Sequence, residues 1–154
     1  MNSLLRSALV FCTLFIALEC HAFQCRISTT PVNFGVYGVF SRFVLDSTGT
    51  ITVACNNLDK KPMTVRVTLN AGGSGTFNPR QMRASNGNDH LNYYLCTDPS
   101  RTVIWGDGTG GSSFVSAVVT RDSSFNSLIY GRIPPGQNVS VGNYSDVLTA
   151  TVTW

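Results

Sequence analysis

The chain has 154 residues, enough for one domain with a sizeable core and too few for a second once any leader is removed. Charged residues make up only 12% of it while Thr, Ser, Val and Gly are abundant, a balance that favours strands and turns and excludes long amphipathic helices. The formal net charge of +3 is carried by scattered side chains, with Lys60 and Lys61 the one adjacent basic pair, so the basic stripe of a nucleic-acid binder is missing.

Residues 1–22 read as a secretory leader. Arg6 sits in a short amino-terminal region, SALVFCTLFIAL (7–18) is the apolar stretch, and Cys20-His21-Ala22 ends in a small residue, so cleavage is expected after Ala22 and residues 23–154 form the mature domain. Cys20 invites a lipoprotein reading, but Glu19 stands where a lipobox requires a small residue. The apolar run falls short of a membrane span, and nothing later approaches the roughly 20 apolar residues that one needs, so the mature chain is expected to be exported and soluble. Loss of the leader removes Arg6 and Glu19 together and leaves the net charge unchanged.

Cys12 and Cys20 leave with the leader, so Cys25, Cys55 and Cys96 enter an oxidising compartment, where one bridge and one spare thiol are expected. A bridge between Cys25 and Cys55 would staple the start of the mature chain to the next strand, leaving Cys96 as a small buried hydrophobe. No CxxC pair occurs and His90 is the one mature histidine, so neither a metal site nor a cofactor is implied.

Alternation dominates from Cys25 onward and recurs between clusters of turn residues, as in a β-sandwich. VNFGVYG (32–38) reads as an edge or bulged strand with Phe34 and Val36 on one face. TGTITVAC (48–55) follows with Ile51, Val53 and Cys55 on one side. PMTVRVTLN (62–70) has Met63, Val65, Val67 and Leu69 inward, and AGGSG (71–75) is a turn. QMRAS (81–85) is a short strand joined through Asn86-Gly87 to HLNYYLCTD (90–98), which turns Leu91, Tyr93 and Leu95 inward. FVSAVVT (114–120) and SLIYGRIPPG (127–136) are further strands, the latter ended by Pro-Pro-Gly. NYSDVLTATVTW (143–154) reads as one last strand with Tyr144, Leu148, Ala150, Val152 and Trp154 on one face. WGDGTGGSS (105–113) is glycine-rich but lacks the Lys-Ser/Thr of a phosphate-binding loop, and no helical pattern follows.

Several of these blocks, in order, resemble the spore coat protein U domain, a family shared with the archaic, Csu-type chaperone-usher pilins. They are Cys25 followed by TPVNFGVY, then DSTGTITVAC, LNAGGSGTFNPRQM, LNYYLCTDPSRTVIWGDGTGG, YGRIPPGQ and VGNYSDVLTATVTW, together covering most of residues 25–154. The resemblance implies an incomplete immunoglobulin-like β-sandwich, a pilin fold lacking its final strand, whose groove is filled first by a periplasmic chaperone and then, after passage through an outer-membrane usher, by the amino-terminal extension of a neighbouring subunit. It implies assembly in the periplasm and a final place at the cell surface. It also puts the disulfide on Cys25 and Cys55 and the chaperone or donor-strand groove along Leu148, Ala150, Val152 and Trp154. A sandwich short of one strand exposes both apolar side chains and unpaired backbone groups, which agrees with strand addition from outside.

Two departures stand out. A polymerising pilin carries an alternating extension ahead of its first cysteine, whereas cleavage after Ala22 leaves only Phe23 and Gln24 here, so the subunit is expected to accept a strand without giving one, at a tip or chain end; the other reading makes part of the apolar stretch the donor. Cys96 replaces an expected noncysteine residue such as an aromatic. An alternative function is a secreted adhesive or lectin-like module using Tyr37, Phe40 and Phe43, with Trp105, as a contact patch. Asp98 and Asp107 are the acids that an enzyme would use as a carboxylate pair, or a calcium site as ligands, but Asp-Pro and Gly-Asp-Gly are ordinary turn sequences, and no catalytic role is expected.

Overall fold

The computed structural model describes residues 24–56, 61–120 and 123–154. The leader read in residues 1–22 lies outside them, as do Phe23 and Lys60. The strands are β1 (Gln24–Thr30), β2 (Leu45–Asn56), β3 (Met63–Leu69), β4 (Arg80–Ala84), β5 (His90–Cys96), β6 (Val115–Val119), β7 (Ser123–Ile133), β8 (Tyr144–Ser145) and β9 (Ala150–Thr153), with a single 3-10 turn at Gly72–Ser74. Among the described residues they form a six-stranded sheet in the order β1-β2-β7-β5-β4-β8 and a three-stranded sheet in the order β6-β3-β9, neighbours running antiparallel throughout.

The core lies between the sheets. Alternation delivers Ile51, Val53 and Cys55 from β2, Val65, Val67 and Leu69 from β3, and Leu91, Tyr93 and Leu95 from β5, all buried, as their two-residue period requires. β1 pairs with β2 in a register that sets Cys25 opposite Cys55, and the two sulfurs are bonded at 2.09 Å.

The expected strand at 32–38 is instead an extended strap that crosses the inner face of the large sheet. Val32 and Phe34 turn toward the core, and Phe34 meets the Tyr93 ring edge-on at 6.2 Å. Gly35, at φ 72°, then shifts the alternation by one residue, so that Tyr37 and Val39 face in while Val36 and Phe40 face out. This is why Phe34 and Val36 do not share a face.

The strap lies close because the sheet beneath it is bare at Gly49 and Gly131. A Cβ on Gly49 would stand 2.7 Å from the Thr30 carbonyl oxygen, and one on Gly131 would stand 2.6 Å from Val32 Cγ1 and 2.7 Å from Phe34 Cζ. Gly131→Val must therefore lift the strap, and its urea midpoint is expected to fall by the equivalent of about 2 kcal/mol.

The carboxyl-terminal stretch also departs from expectation. It is two strands in different sheets: β8 pairs with β4 through Arg83↔Ser145 and Ala84↔Tyr144, and β9 pairs with β3 through Leu69↔Ala150 to Arg66↔Thr153. The chain changes sheets between Asp146 and Thr149 and keeps its alternation throughout.

Candidate functional site

β9 is hydrogen-bonded on one side only. Its inner edge pairs with β3, and Asn70 lengthens that ladder, its backbone N–H donating to the Thr149 carbonyl at 3.0 Å and its Oδ1 accepting from the Thr149 N–H at 3.0 Å. No strand among the described residues pairs with the outer edge. Just ahead of β9, a cavity of about 320 Å³ floored by Ile51, Leu69, Leu95 and Ile129 is lined by the end of β1 and the strap, Thr29–Phe34, and by Tyr144, Ser145, Asp146 and Leu148. A second opening of about 810 Å³ continues it between the strap and residues 139–144 and shares Pro31, Val32, Phe34, Met82 and Tyr144 with the first. The result is one lane along the seam of the sandwich, with core side chains at its bottom.

Of the four residues expected along this groove, Leu148 lines the cavity, and Leu148, Ala150 and Val152 are half-buried and pack against the core. Trp154 follows Thr153, the last residue of β9, and 57% of it is exposed, so it does not belong to the packed wall.

One step of the lane is polar. Asp146, in phase with Tyr144 and Leu148, lines the cavity with Tyr93, and its carboxylate accepts from the Tyr93 hydroxyl at 2.7 Å, the Gly73 N–H at 3.0 Å and the Val147 N–H at 2.9 Å. Burial, then the bond to Asp146, pushes the Tyr93 hydroxyl well above the ordinary phenol range. Behind it Arg80 is wholly buried, donating from Nη2 to the carbonyls of Asn70 at 2.9 Å and Trp105 at 2.7 Å, and from Nε to Asn70 at 3.3 Å. Desolvation lowers the pKa of its guanidinium, while the charge of Asp146 acts in the opposite sense. Asn70 thus joins the buried arginine to the last ladder rung. Sequence reasoning missed this group, although two signals were present: an acid at an inward phase position, and an arginine at the head of a strand directly after proline.

The apolar loop divides. Phe40 is 97% exposed and Phe43 82%, with Val36 also exposed, whereas Tyr37 is tied inward, its hydroxyl donating to the Pro134 carbonyl at 3.2 Å and accepting from the Gln137 N–H at 2.8 Å. Trp105 cannot form part of a contact patch. It is fully buried, with Nε1 donating to the Val67 carbonyl at 3.2 Å and its backbone N–H to Leu95 at 2.8 Å.

Asp98 and Asp107 are each engaged by their own loop. Asp98 accepts from the N–H groups of Val103 and Thr102 and from the Thr102 hydroxyl, and those bonds hold its carboxyl below the usual range. Asp107 is likewise lowered by the hydroxyl and N–H of Thr109, and its carbonyl accepts from Arg66. Among the described residues no three His, Cys, Asp or Glu side chains gather as a metal site would require. Cys96 is a buried free thiol, pushed up to about 11 chiefly by burial.

Comparison with known proteins identifies the family of this fold. The model of the Spore Coat Protein U domain matches residues 12–151, starting inside the apolar stretch read above as leader. Protein U of Myxococcus xanthus is 33% identical over 131 residues, covering 80% of this chain and 71% of that protein. Among solved structures, the chain is similar to one from the CsuC-CsuE chaperone-tip adhesion subunit pre-assembly complex of the archaic chaperone-usher Csu pili of Acinetobacter baumannii, with a TM-score of 0.61 and 23% identity over 86% of this chain. It spans 40% of that chain, and the likeness is one of fold, an immunoglobulin-like pilin sandwich. HdaB, the minor tip subunit of the E. coli Hda pilus, aligns at a TM-score of 0.41 and 16% identity, over 82% of this chain and 79% of its own. With its family model matched over nearly the whole of the sandwich, the chain belongs to the spore coat protein U domain family.

Proposed function

We propose that the protein is an exported structural subunit of a chaperone-usher pilus or surface coat, and that the lane beside β9 accepts a strand from another protein. The observation that carries this is the free edge of β9, entered from a stretch, Tyr144 to Leu148, that lines a cavity floored by core residues. An inserted strand would satisfy the edge N–H and C=O groups and cover Leu148, Ala150 and Val152 in one step, and burial of apolar surface contributes about 25 cal/mol per Å². A periplasmic chaperone fills the lane first, the outer-membrane usher receives the pair, and a neighbouring subunit's extension then replaces the chaperone. No catalytic group takes part. A terminal or tip position belongs to the same proposal: cleavage after Ala22 leaves too short a segment ahead of Cys25 to serve as a donor.

Val152→Asp puts a carboxylate into the lane wall. Co-expressed with its chaperone, this variant is expected to fall at least about tenfold in periplasmic accumulation and in chaperone complex, since an unpaired charge in an apolar contact costs more than 1.4 kcal/mol. Val118→Asp, on the far strand β6 at a position already 67% exposed, is the control and accumulates normally. Undiminished complex with Val152→Asp would overturn the proposal.

The second reading, an adhesive module, draws on the outward set Val36, Phe40 and Phe43. Phe40→Ser with Phe43→Ser should abolish surface attachment while leaving chaperone complex intact if that reading holds.

A further inference from the structure

We propose that the lane selects its strand by one hydrogen bond: the incoming chain carries a hydroxyl or amide donor, within an otherwise apolar alternation, at the position facing Asp146. The inference rests on the acceptor reading and adds the chemistry of the occupant. From Tyr144 to Val152 every second side chain is half-buried, and Tyr144, Leu148, Ala150 and Val152 pack on the core, so an extended chain with apolar side chains two apart matches the lane at all steps but one. Asp146 is that step.

Its carboxylate already takes three hydrogen bonds, from Tyr93, Gly73 and Val147, out of roughly four lone-pair sites. One acceptor site is left in a cavity whose remaining walls are largely apolar. An arriving strand displaces the water that can reach this site. A wholly apolar strand leaves it unmade, and a desolvated carboxylate pays for each missing bond more heavily than a neutral group does. The occupant need not be a cation. The buried Arg80 guanidinium behind the site already supplies a positive charge on which Asp146 acts. Threonine, serine or asparagine therefore suits the position better than either lysine or valine.

Short synthetic peptides alternating Val and Thr test this on the full chain. The parent has Val at every inward position, and each daughter has one inward Val replaced by the isosteric Thr. One daughter is expected to bind on the order of tenfold more tightly than the parent. That preference should vanish in Asp146→Leu, where the parent becomes the better ligand. In Tyr93→Phe, which keeps the ring and frees a second acceptor site, the preference should grow, so this variant carries the test if Asp146→Leu does not fold. Peptides that bind without any positional preference, or with one that survives Asp146→Leu or is unchanged in Tyr93→Phe, overturn the inference and leave the acceptor lane standing. If no peptide binds, the acceptor reading fails and this inference with it.

Discussion

Arg80→Ala is expected to lower the unfolding free energy by about 4 kcal/mol, read as a shift of the urea midpoint. Arg80 is 0% exposed, and its fork holds two carbonyls that no other donor reaches in the hydrogen-bond pattern described above, those of Asn70 and Trp105. Truncation leaves both oxygens buried without a donor, at about 1 to 3 kcal/mol each, and opens a cavity beside Phe77, whose ring centroid lies 5.2 Å from the guanidinium carbon. Arg80→Lys keeps the charge but not the planar fork, so it should lose about half as much. Because Asn70 also holds Thr149, the alanine variant should weaken whatever binds along β9 as well. A midpoint shift worth less than about 1 kcal/mol would mean that the buried charge costs nearly as much as its bonds return.

Cys25→Ser is the other large effect. The bridge closes a loop of sequence separation 30, for which the chain-entropy estimate is about 3 to 4 kcal/mol. The variant should lose that much stability and accumulate poorly in the periplasm, and the unaltered protein held under reductant should match it. Cys96 offers no rescue, being buried, with its thiol raised to about 11. Equal stability of the oxidised and reduced protein would refute the estimate.

How far the sequence carries depends on whether a residue's neighbours lie along the chain or across it. β3 and β5 were legible side chain by side chain, because each faces one core on one side and water or polar contacts on the other, so Met63 to Leu69 and Leu91 to Leu95 announce their faces by period alone. The inward phase of Leu148, Ala150 and Val152, which pack against the core, was legible for the same reason. The split of the last strand was not: alternation runs unbroken from Tyr144 to Val152 while the pairing partner changes from β4 to β3, and period says nothing about partners. Trp105 misled because it sits in a run of glycines that reads as a surface loop. Those glycines let the loop fold tightly enough to bury the indole; a Cβ on Gly106 would lie 2.3 Å from the Ser112 hydroxyl and 2.7 Å from the Phe77 ring. Arg80 and Asp146 were passed over because charged residues default to the surface, and only long-range contacts mark them as exceptions.

The one-residue slip at Gly35 separates two kinds of structural constraint within a dozen residues. Ahead of it, Val32 and Phe34 are clamped over Gly49 and Gly131 and leave little freedom to vary. Beyond it, Tyr37 anchors the backbone by its hydroxyl, and positions 36, 40 and 43 point away from everything the sandwich needs in order to fold. Those three sites can diversify toward new surfaces at almost no cost to stability, so what the subunit touches can change without altering how it is built.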